Sequence, residues 1–208
     1  QTSVLHMATL MRNSVIAARL LLVRPADALR PDSRGLTPVD LLDDSTAPEL
    51  AAAFGRALSD PSVACLLPPS AGALLYRAAR RGAAGVLRMV LAVCPEAVDE
   101  RDGSRDDCTP LYAACGRGAI AAAMELIAAG ASPLRECANA TCTPLCAAAR
   151  LGRPELVETM LRACGPAEAE SARRWISRSL WQCAQRGDAD TSRLLLEAGA
   201  DPNSCGPD

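Results

Sequence analysis

Three cysteines lie close together in the sequence, at Cys137, Cys142 and Cys146. Thiolates are zinc ligands, and a fourth thiolate from Cys108 or Cys115 would complete a tetrahedral site. The spacings C-x4-C and C-x3-C differ, however, from the paired C-x2-C of common zinc modules. The alternative interpretation is that the cysteines are small residues of a core and a loop, and we favour it. We therefore predict no metal and no cofactor.

The sequence lacks the residue types on which most catalytic sites depend. His6 is the only histidine, so a Ser-His-Asp triad and a His-based zinc site are both barely possible. All 22 basic residues are arginines, and without lysine there is no Walker lysine, kinase lysine or Schiff base. The adjacent carboxylates at 43–44 and 106–107 fit solvated turns better than an acid/base pair in a pocket. We predict that the chain is not an enzyme.

The composition narrows the class of protein further. Half of the 208 residues are apolar, yet the aromatics are only one Phe, two Trp and two Tyr. A core built from Ala, Leu and Val suits thin helices that pack closely. The net charge of −2 gives no general attraction to nucleic acid or to a membrane surface. No apolar run is long enough to span a bilayer, so we predict no membrane insertion.

The cysteines indicate the cellular compartment in which the protein works. Ten cysteines that fall mostly in helix-forming stretches favour reduced thiols, and hence a cytoplasmic or nuclear protein.

The absence of lysine has two explanations. One is codon bias in a GC-rich genome, which the high Ala, Gly and Pro content favours; the other is selection against ubiquitin acceptors.

The chain repeats itself with a period near 34 residues. Residues 109–114, Thr-Pro-Leu-Tyr-Ala-Ala, return as residues 143–148, Thr-Pro-Leu-Cys-Ala-Ala. Such a period indicates a stacked array, in which each unit buries its apolar face against its neighbours. We predict a single domain of six units, at approximately 1–34, 35–70, 71–106, 107–140, 141–176 and 177–208.

Each unit has the pattern helix, turn, helix. In the fourth unit Thr109 can cap a helix, and Pro110 fits its first position, where the missing N–H costs nothing. Gly118 then ends this helix. Apolar residues at helical spacing over 120–127 predict a second helix, which stops at Gly130. The loops that lead to the next unit are long enough for a β-turn finger.

This pattern resembles the ankyrin repeat family, whose signature T-P-L-H-x-A recurs about every 33 residues. Residues 109–118 and 143–152 carry the resemblance best, and the ending Gly-Ala-Asp-Pro-Asn at 199–203 is also close. The resemblance implies an all-α solenoid of about six helix-turn-helix units with finger loops. We expect the chain to be part of a longer array. Two junctions depart from the pattern: residues 59–72 predict an irregular spacer, and residues 167–176 look helical.

The resemblance also implies where a partner binds. In ankyrin stacks the fingers and the ends of the first helices line a concave groove, which is the usual binding surface. The two positions before each inter-helix glycine face this groove, and in four units one or both are arginine. With one arginine a turn earlier, the predicted arginine ladder is Arg77, Arg80, Arg81, Arg117, Arg150 and Arg186. Arginine binds carboxylates and phosphates bidentately, so we predict an acidic or phosphorylated protein or peptide as the partner. The alternative interpretation is that these arginines are solvated charges that bind no partner.

Two single residues and two further functions complete these expectations. His6 occupies the His position of the signature, which in this family serves hydrogen bonding between neighbouring turns. Trp175 is either an exposed anchor or a buried bridge between the last two units.

The alternative functions are the targeting array of a larger enzyme and a ubiquitin-ligase adaptor, each with its other domain outside this chain.

Overall fold

The computed structural model describes residues 2–43, 45–103, 107–137, 142–164 and 169–204, and all regular secondary structure in these ranges is helical. The predicted all-α class is therefore confirmed. The helices are α1 (Val4–Leu10), α2 (Ser14–Val23), α3 (Pro48–Leu58), α4 (Pro61–Ala64), α5 (Pro68–Arg81), α6 (Ala84–Val93), α7 (Pro110–Arg117), α8 (Ile120–Ala128), α9 (Pro144–Arg150), α10 (Pro154–Ala163), α11 (Ala169–Arg186) and α12 (Ala189–Glu197).

The helices form two rows along the chain. In the first-helix row, α5 packs against α7, α7 against α9, and α9 against α11. In the second-helix row, α2 packs against α3, and the contacts continue through α6, α8 and α10 to α12. Each row thus proceeds by contact between successive units, as a solenoid requires. The helix pairs follow the predicted order of units. Helix α11 crosses the predicted boundary between the fifth and sixth units, at 176/177. The unit boundaries themselves stay a prediction.

The second unit lacks a full first helix. In its place stands a 3-10 turn, Val39–Leu41, which contacts both α1 and α5. The Asp43 side chain explains why no helix continues from it, because its carboxylate accepts hydrogen bonds from the backbone N–H and the hydroxyl of Ser45. Such local bonds compete with helical hydrogen bonding. The neighbouring Asp44, which we placed where the inter-helix glycine belongs, lies outside the described residues.

The predicted start and stop signals of the helices are confirmed in the fourth unit. Thr109 caps α7 by accepting the Tyr112 N–H at 3.3 Å, and Pro110 is the first helical residue. Gly118 ends the helix with φ of 70°, a left-handed conformation that favours glycine. After the second helix, α8, Gly130 takes the same role with φ of 91°.

The prediction of an irregular spacer over 59–72 is wrong. This stretch holds α4 and the first residues of α5. The reason is that its prolines start helices rather than interrupting them: Pro61 and Pro68 are each the first residue of a helix, where no N–H is needed. Asp60 supports this by accepting the Ser62 N–H at 2.9 Å. At the other irregular junction α11 is one continuous helix of 18 residues, which agrees with the helical character predicted for it.

His6 connects the first unit to the second, as predicted. Its Nδ1 accepts the Ser3 N–H, so the protonated Nε2 donates to the Leu36 carbonyl oxygen at 2.9 Å. The ring is buried, with 1% of the residue exposed. A polar group buried at this depth needs both bonds, and here both are present.

Candidate functional site

Arginines stand at the C-terminal ends of four neighbouring helices of the first-helix row. Arg80 and Arg81 end α5, Arg117 ends α7, Arg150 ends α9, and Arg186 ends α11. All five residues are exposed. Because these helices pack side by side, their equivalent ends form one edge of the stack.

Arg77 lies one turn earlier and makes a bond inside the protein. Its Nε and one terminal nitrogen bind the two carboxylate oxygens of Asp40 at 2.8 and 2.9 Å. The Asp40 side chain is fully buried and also accepts the N–H and the hydroxyl of Thr37, both at 2.8 Å. All of these bonds converge on one carboxylate. Arg77, predicted as part of the arginine ladder, therefore secures the second unit to α5.

Arg81 acts on the same junction. Its guanidinium donates to the Leu42 carbonyl oxygen, just after the 3-10 turn of the second unit. Arg77 and Arg81 together hold this short turn in the place that a first helix fills in the other units. Sequence reasoning did not find this role, because Asp40 and Leu42 precede these arginines by 37 and 39 residues.

The other four arginines keep their guanidinium groups available. Within the described part of the chain, no hydrogen bond or ion pair engages their side chains. We call this set the arginine ridge: Arg80, Arg117, Arg150 and Arg186. Packed helix axes lie about 8–10 Å apart, which sets the expected step from one unit to the next along the ridge.

Tyr112 lies beside the middle of the ridge. Burial raises the pKa of Tyr112 to about 12, although the positive charge of Arg150, on the neighbouring helix, acts in the opposite direction. A phenol is neutral at physiological pH even without this shift, and the raised pKa extends the neutral range of Tyr112 to higher pH. The proximity of Arg150 adds a cation beside this half-buried hydroxyl.

The three cysteines of the thiol site considered above pair their thiols in two separate contacts, although the Cys137 N–H donates to the Cys142 carbonyl oxygen at 3.3 Å. Cys142 is hydrogen-bonded to Cys146, which together with burial raises the pKa of Cys142. Cys137 instead bonds with Cys108, and burial raises the pKa of Cys137. Across the described residues, no group of three or more His, Cys, Asp or Glu side chains is arranged to hold a metal ion.

Cysteine reactivity follows from these environments and gives a first prediction. Cys65 is exposed, whereas Cys115 and Cys183 are fully buried, and burial raises the pKa of Cys183 to about 12. At pH 8 a raised pKa leaves less thiolate, and the thiolate is the species that reacts. We expect Ellman's reagent to label Cys65 rapidly in the native protein and Cys115 and Cys183 only in urea. Equal native rates at all three thiols, measured by mass spectrometry, would contradict this packing.

Trp175 is a buried bridge, which is one of the two alternatives that the sequence allowed. Only 3% of the residue is exposed, and its carbonyl oxygen lies 3.8 Å from the sulfur of Cys146 on α9, the neighbouring first helix. The guanidinium groups of Arg174 and Arg178 lie 5.3 and 5.5 Å from the ring centre, within cation–π range. Trp175 is thus part of the packing between the last two units.

Across the described ranges, none of the helices has both the length and the apolar character needed to cross a membrane.

Comparison with known proteins agrees with this architecture. Residues 75–173 match the family described as ankyrin repeats (3 copies), and residues 179–207 match the ankyrin repeat. No curated protein sequence matches the chain at a significant level.

Solved structures show the same fold. The ankyrin repeat domain of Bcl-3, described as a unique member of the IkappaB protein family, superposes with a TM-score of 0.63 at 19% identity, covering 96% of this chain and 87% of that one. The human ASB11 ankyrin repeat domain gives 0.62 at 15% identity, with coverage of 98% and 87%. An ankyrin repeat domain from Acinetobacter baumannii gives 0.64 at 22%, with coverage of 95% and 98%. At these identities the likeness concerns the fold alone.

The matched ranges together make up more than half of the sequence, and they include all of the helices from α6 to α10, all of α12, and parts of α5 and α11. The chain therefore belongs to the ankyrin repeat family, whose stacked helix pairs serve in general as protein-interaction modules and typically carry no catalytic activity.

Proposed function

We propose that this chain is a non-catalytic module that binds an acidic or phosphorylated segment of a partner protein along the arginine ridge. The ridge lies on the side that the family resemblance assigns to the concave face. The observation that carries the proposal is the row of four exposed arginines with no hydrogen bond or ion pair within the described residues. Guanidinium groups of this kind bind carboxylates and phosphates with two parallel bonds, which gives both affinity and orientation.

The spacing of the ridge suggests the spacing of charges in the partner. Packed helix axes lie about 8–10 Å apart, so we expect a similar step between the arginines of neighbouring units. An extended peptide advances about 3.3 Å per residue. A peptide that carries a negative charge at every third position therefore meets one arginine after another.

A designed peptide tests this function. The probe is a fluorescein-labelled peptide of four Ser-Gly-Ser triplets with the first serine of each phosphorylated, and binding is followed by fluorescence anisotropy. In the ridge variant, Arg117→Glu with Arg150→Glu, we expect affinity to fall at least about tenfold, since each charge-assisted bond contributes about 1.5–3 kcal/mol.

A matched variant separates the ridge from general charge. Arg56 and Arg193 are also exposed but lie on α3 and α12, in the second-helix row. Replacing both with Glu changes the net charge by the same amount and should leave the affinity nearly unchanged. Equal losses in the two variants, or equal binding of a peptide with its four phosphoserines adjacent, would refute the ridge as the site.

We also propose that the module works in the cytoplasm or nucleus. The cysteines in the described part are all free thiols, and one of them, Cys65, is exposed. Reducing compartments keep thiols in this state. Fluorescence of a tagged chain in cells would test the compartment, and secretion into the medium would contradict it.

A further inference from the structure

Four cysteines lie close together around the starts of α7 and α9. Their thiols form two contacts, one between Cys108 and Cys137 and the other between Cys142 and Cys146. The Cys137 N–H donates to the Cys142 carbonyl oxygen at 3.3 Å, so a backbone hydrogen bond joins one pair to the other. Two thiols in contact can be oxidised to a disulfide by thiol–disulfide exchange, provided that an oxidant reaches one of them.

The two pairs differ in their access to solvent. Cys108 and Cys137 are both buried, with 1% and 4% of each residue exposed, and we call them the closed pair. Cys142 and Cys146 form the open pair: Cys146 is fully buried, but Cys142 is partly exposed. Cys142 precedes Thr143, the residue that caps α9, and so lies outside the helix. A dissolved oxidant can therefore reach the open pair, whereas the closed pair offers it no exposed sulfur.

Cys146 is placed to complete a reaction that begins at Cys142. Its sulfur lies 3.3 Å from the hydroxyl oxygen of Ser179 and 3.8 Å from the carbonyl oxygen of Trp175, both on α11. These contacts hold the buried sulfur beside Cys142. The hydrogen bond with Cys142 lowers the pKa of Cys146 more than burial raises it. A larger share of Cys146 is therefore thiolate, which is the form that attacks a disulfide.

We propose that the open pair is a reversible disulfide site, oxidised by low-molecular-weight disulfides such as oxidised glutathione. The Cys142 thiolate attacks one sulfur of the small disulfide, which breaks its S–S bond and releases one small thiol. The Cys146 thiolate then attacks the Cys142 sulfur, forms the intramolecular disulfide and releases the second small thiol. The open pair loses two electrons and two protons, and the small disulfide gains them as two thiols. This site does not depend on the arginine ridge.

The attack by Cys142 is the slow step of this exchange. The contact with Cys146, together with burial, raises the pKa of Cys142, so only a small fraction of this thiol is ionised at neutral pH. In a reducing compartment the open pair stays a dithiol, and it closes when small-molecule disulfides accumulate. An excess of reduced glutathione reverses the exchange by the same two steps. The open pair is thus a slow, reversible redox site and not a permanent crosslink.

Peptide mapping of the full chain tests the site and separates the two pairs. The reduced protein is incubated with oxidised glutathione, its remaining thiols are blocked with N-ethylmaleimide in denaturant, and trypsin then cleaves it after arginine. Residues 136–150 form one tryptic peptide, which carries Cys137 and both members of the open pair. Cys108 lies on a different peptide, residues 106–117. A disulfide of the open pair is therefore internal to one peptide, whereas a disulfide of the closed pair crosslinks two.

We expect the peptide 136–150 to become two hydrogens lighter and to carry a single maleimide, on Cys137, and we expect excess reduced glutathione to restore three maleimides. The exposed Cys65 serves as the internal standard, because its glutathionylation shows that the oxidant is active. Three maleimides on this peptide once Cys65 is fully glutathionylated would overturn the proposal. Crosslinked peptides of the closed pair appearing first, or a glutathione that stays on Cys142, would overturn it as well.

A variant of the exposed member tests the order of the two steps. Cys142→Ala removes a partly exposed thiol outside the helix, so the fold should be retained. In this variant Cys146 should remain fully labelled by maleimide at glutathione concentrations that oxidise the unaltered protein. Oxidation of Cys146 without Cys142 would contradict entry through Cys142.

Discussion

Replacing Arg77 with Ala is expected to lower the free energy of unfolding by about 3 kcal/mol, the low end of the range for removing one partner of a buried ion pair. The Asp40 side chain is fully buried, whereas that of Arg77 is 33% exposed. In the variant the Asp40 carboxylate keeps its bonds to Thr37 but loses its cation. A buried charge without a partner is far more costly than the bond that is lost.

Two further variants separate this cause from a simple loss of side-chain packing. Arg80→Ala removes a neighbouring arginine of α5 that lies on the exposed ridge, so its urea midpoint should change little. Adding Asp40→Asn to Arg77→Ala removes the stranded charge and should restore part of the stability, because the amide oxygen still accepts the Thr37 N–H. If Arg77→Ala and Arg80→Ala proved equally stable in urea, the proposed role of the pair would be wrong.

Phe54→Ala should have an effect of similar size, a loss of about 3–5 kcal/mol in the free energy of unfolding. Phe54 is the only phenylalanine in the sequence, and its residue exposure is 0%. It lies on α3, in the unit whose first helix is reduced to a 3-10 turn. The core of the chain consists largely of Ala and Leu, so no other aromatic ring of the core can replace the volume that is lost except that of Trp175 on α11.

The measurement for Phe54 is again equilibrium unfolding in urea, with Phe54→Leu as the control that keeps most of the volume. We expect Phe54→Leu to cost clearly less than Phe54→Ala. Because the stability of a repeat stack is approximately a sum over units and interfaces, the damage should fall on the N-terminal units. Hydrogen exchange should then rise in α2 and α3 before it rises in α8 and α10. Uniform exchange along the chain would argue against this localisation.

Local signals explain why so much of the fold could be predicted. Thr109, Pro110 and Gly118 each act through their own backbone geometry or through a bond to a residue three or four places away. Such short-range chemistry is visible in the sequence. The spacer at 59–72 was misjudged because proline has two opposite meanings, and only the position at a helix start decides between them.

The candidate site was less accessible to sequence reasoning, because exposure and pairing depend on distant residues. Arg77 and Arg80 belong to the same helix and look alike in the sequence. The structure gives Arg77 a partner, Asp40, that is 37 residues away, and leaves Arg80 on the surface.

Photo-crosslinking tests the central claim most directly, namely that stacked helix pairs present one continuous edge of first helices to an acidic partner. The phosphopeptide described above, carrying a benzophenone at its centre, is irradiated in complex with the full chain, and the attachment sites are found by mass spectrometry. We predict crosslinks within α7 and α9, next to Arg117 and Arg150. Crosslinks concentrated in α8 and α10 instead would place the partner on the opposite row and contradict the claim.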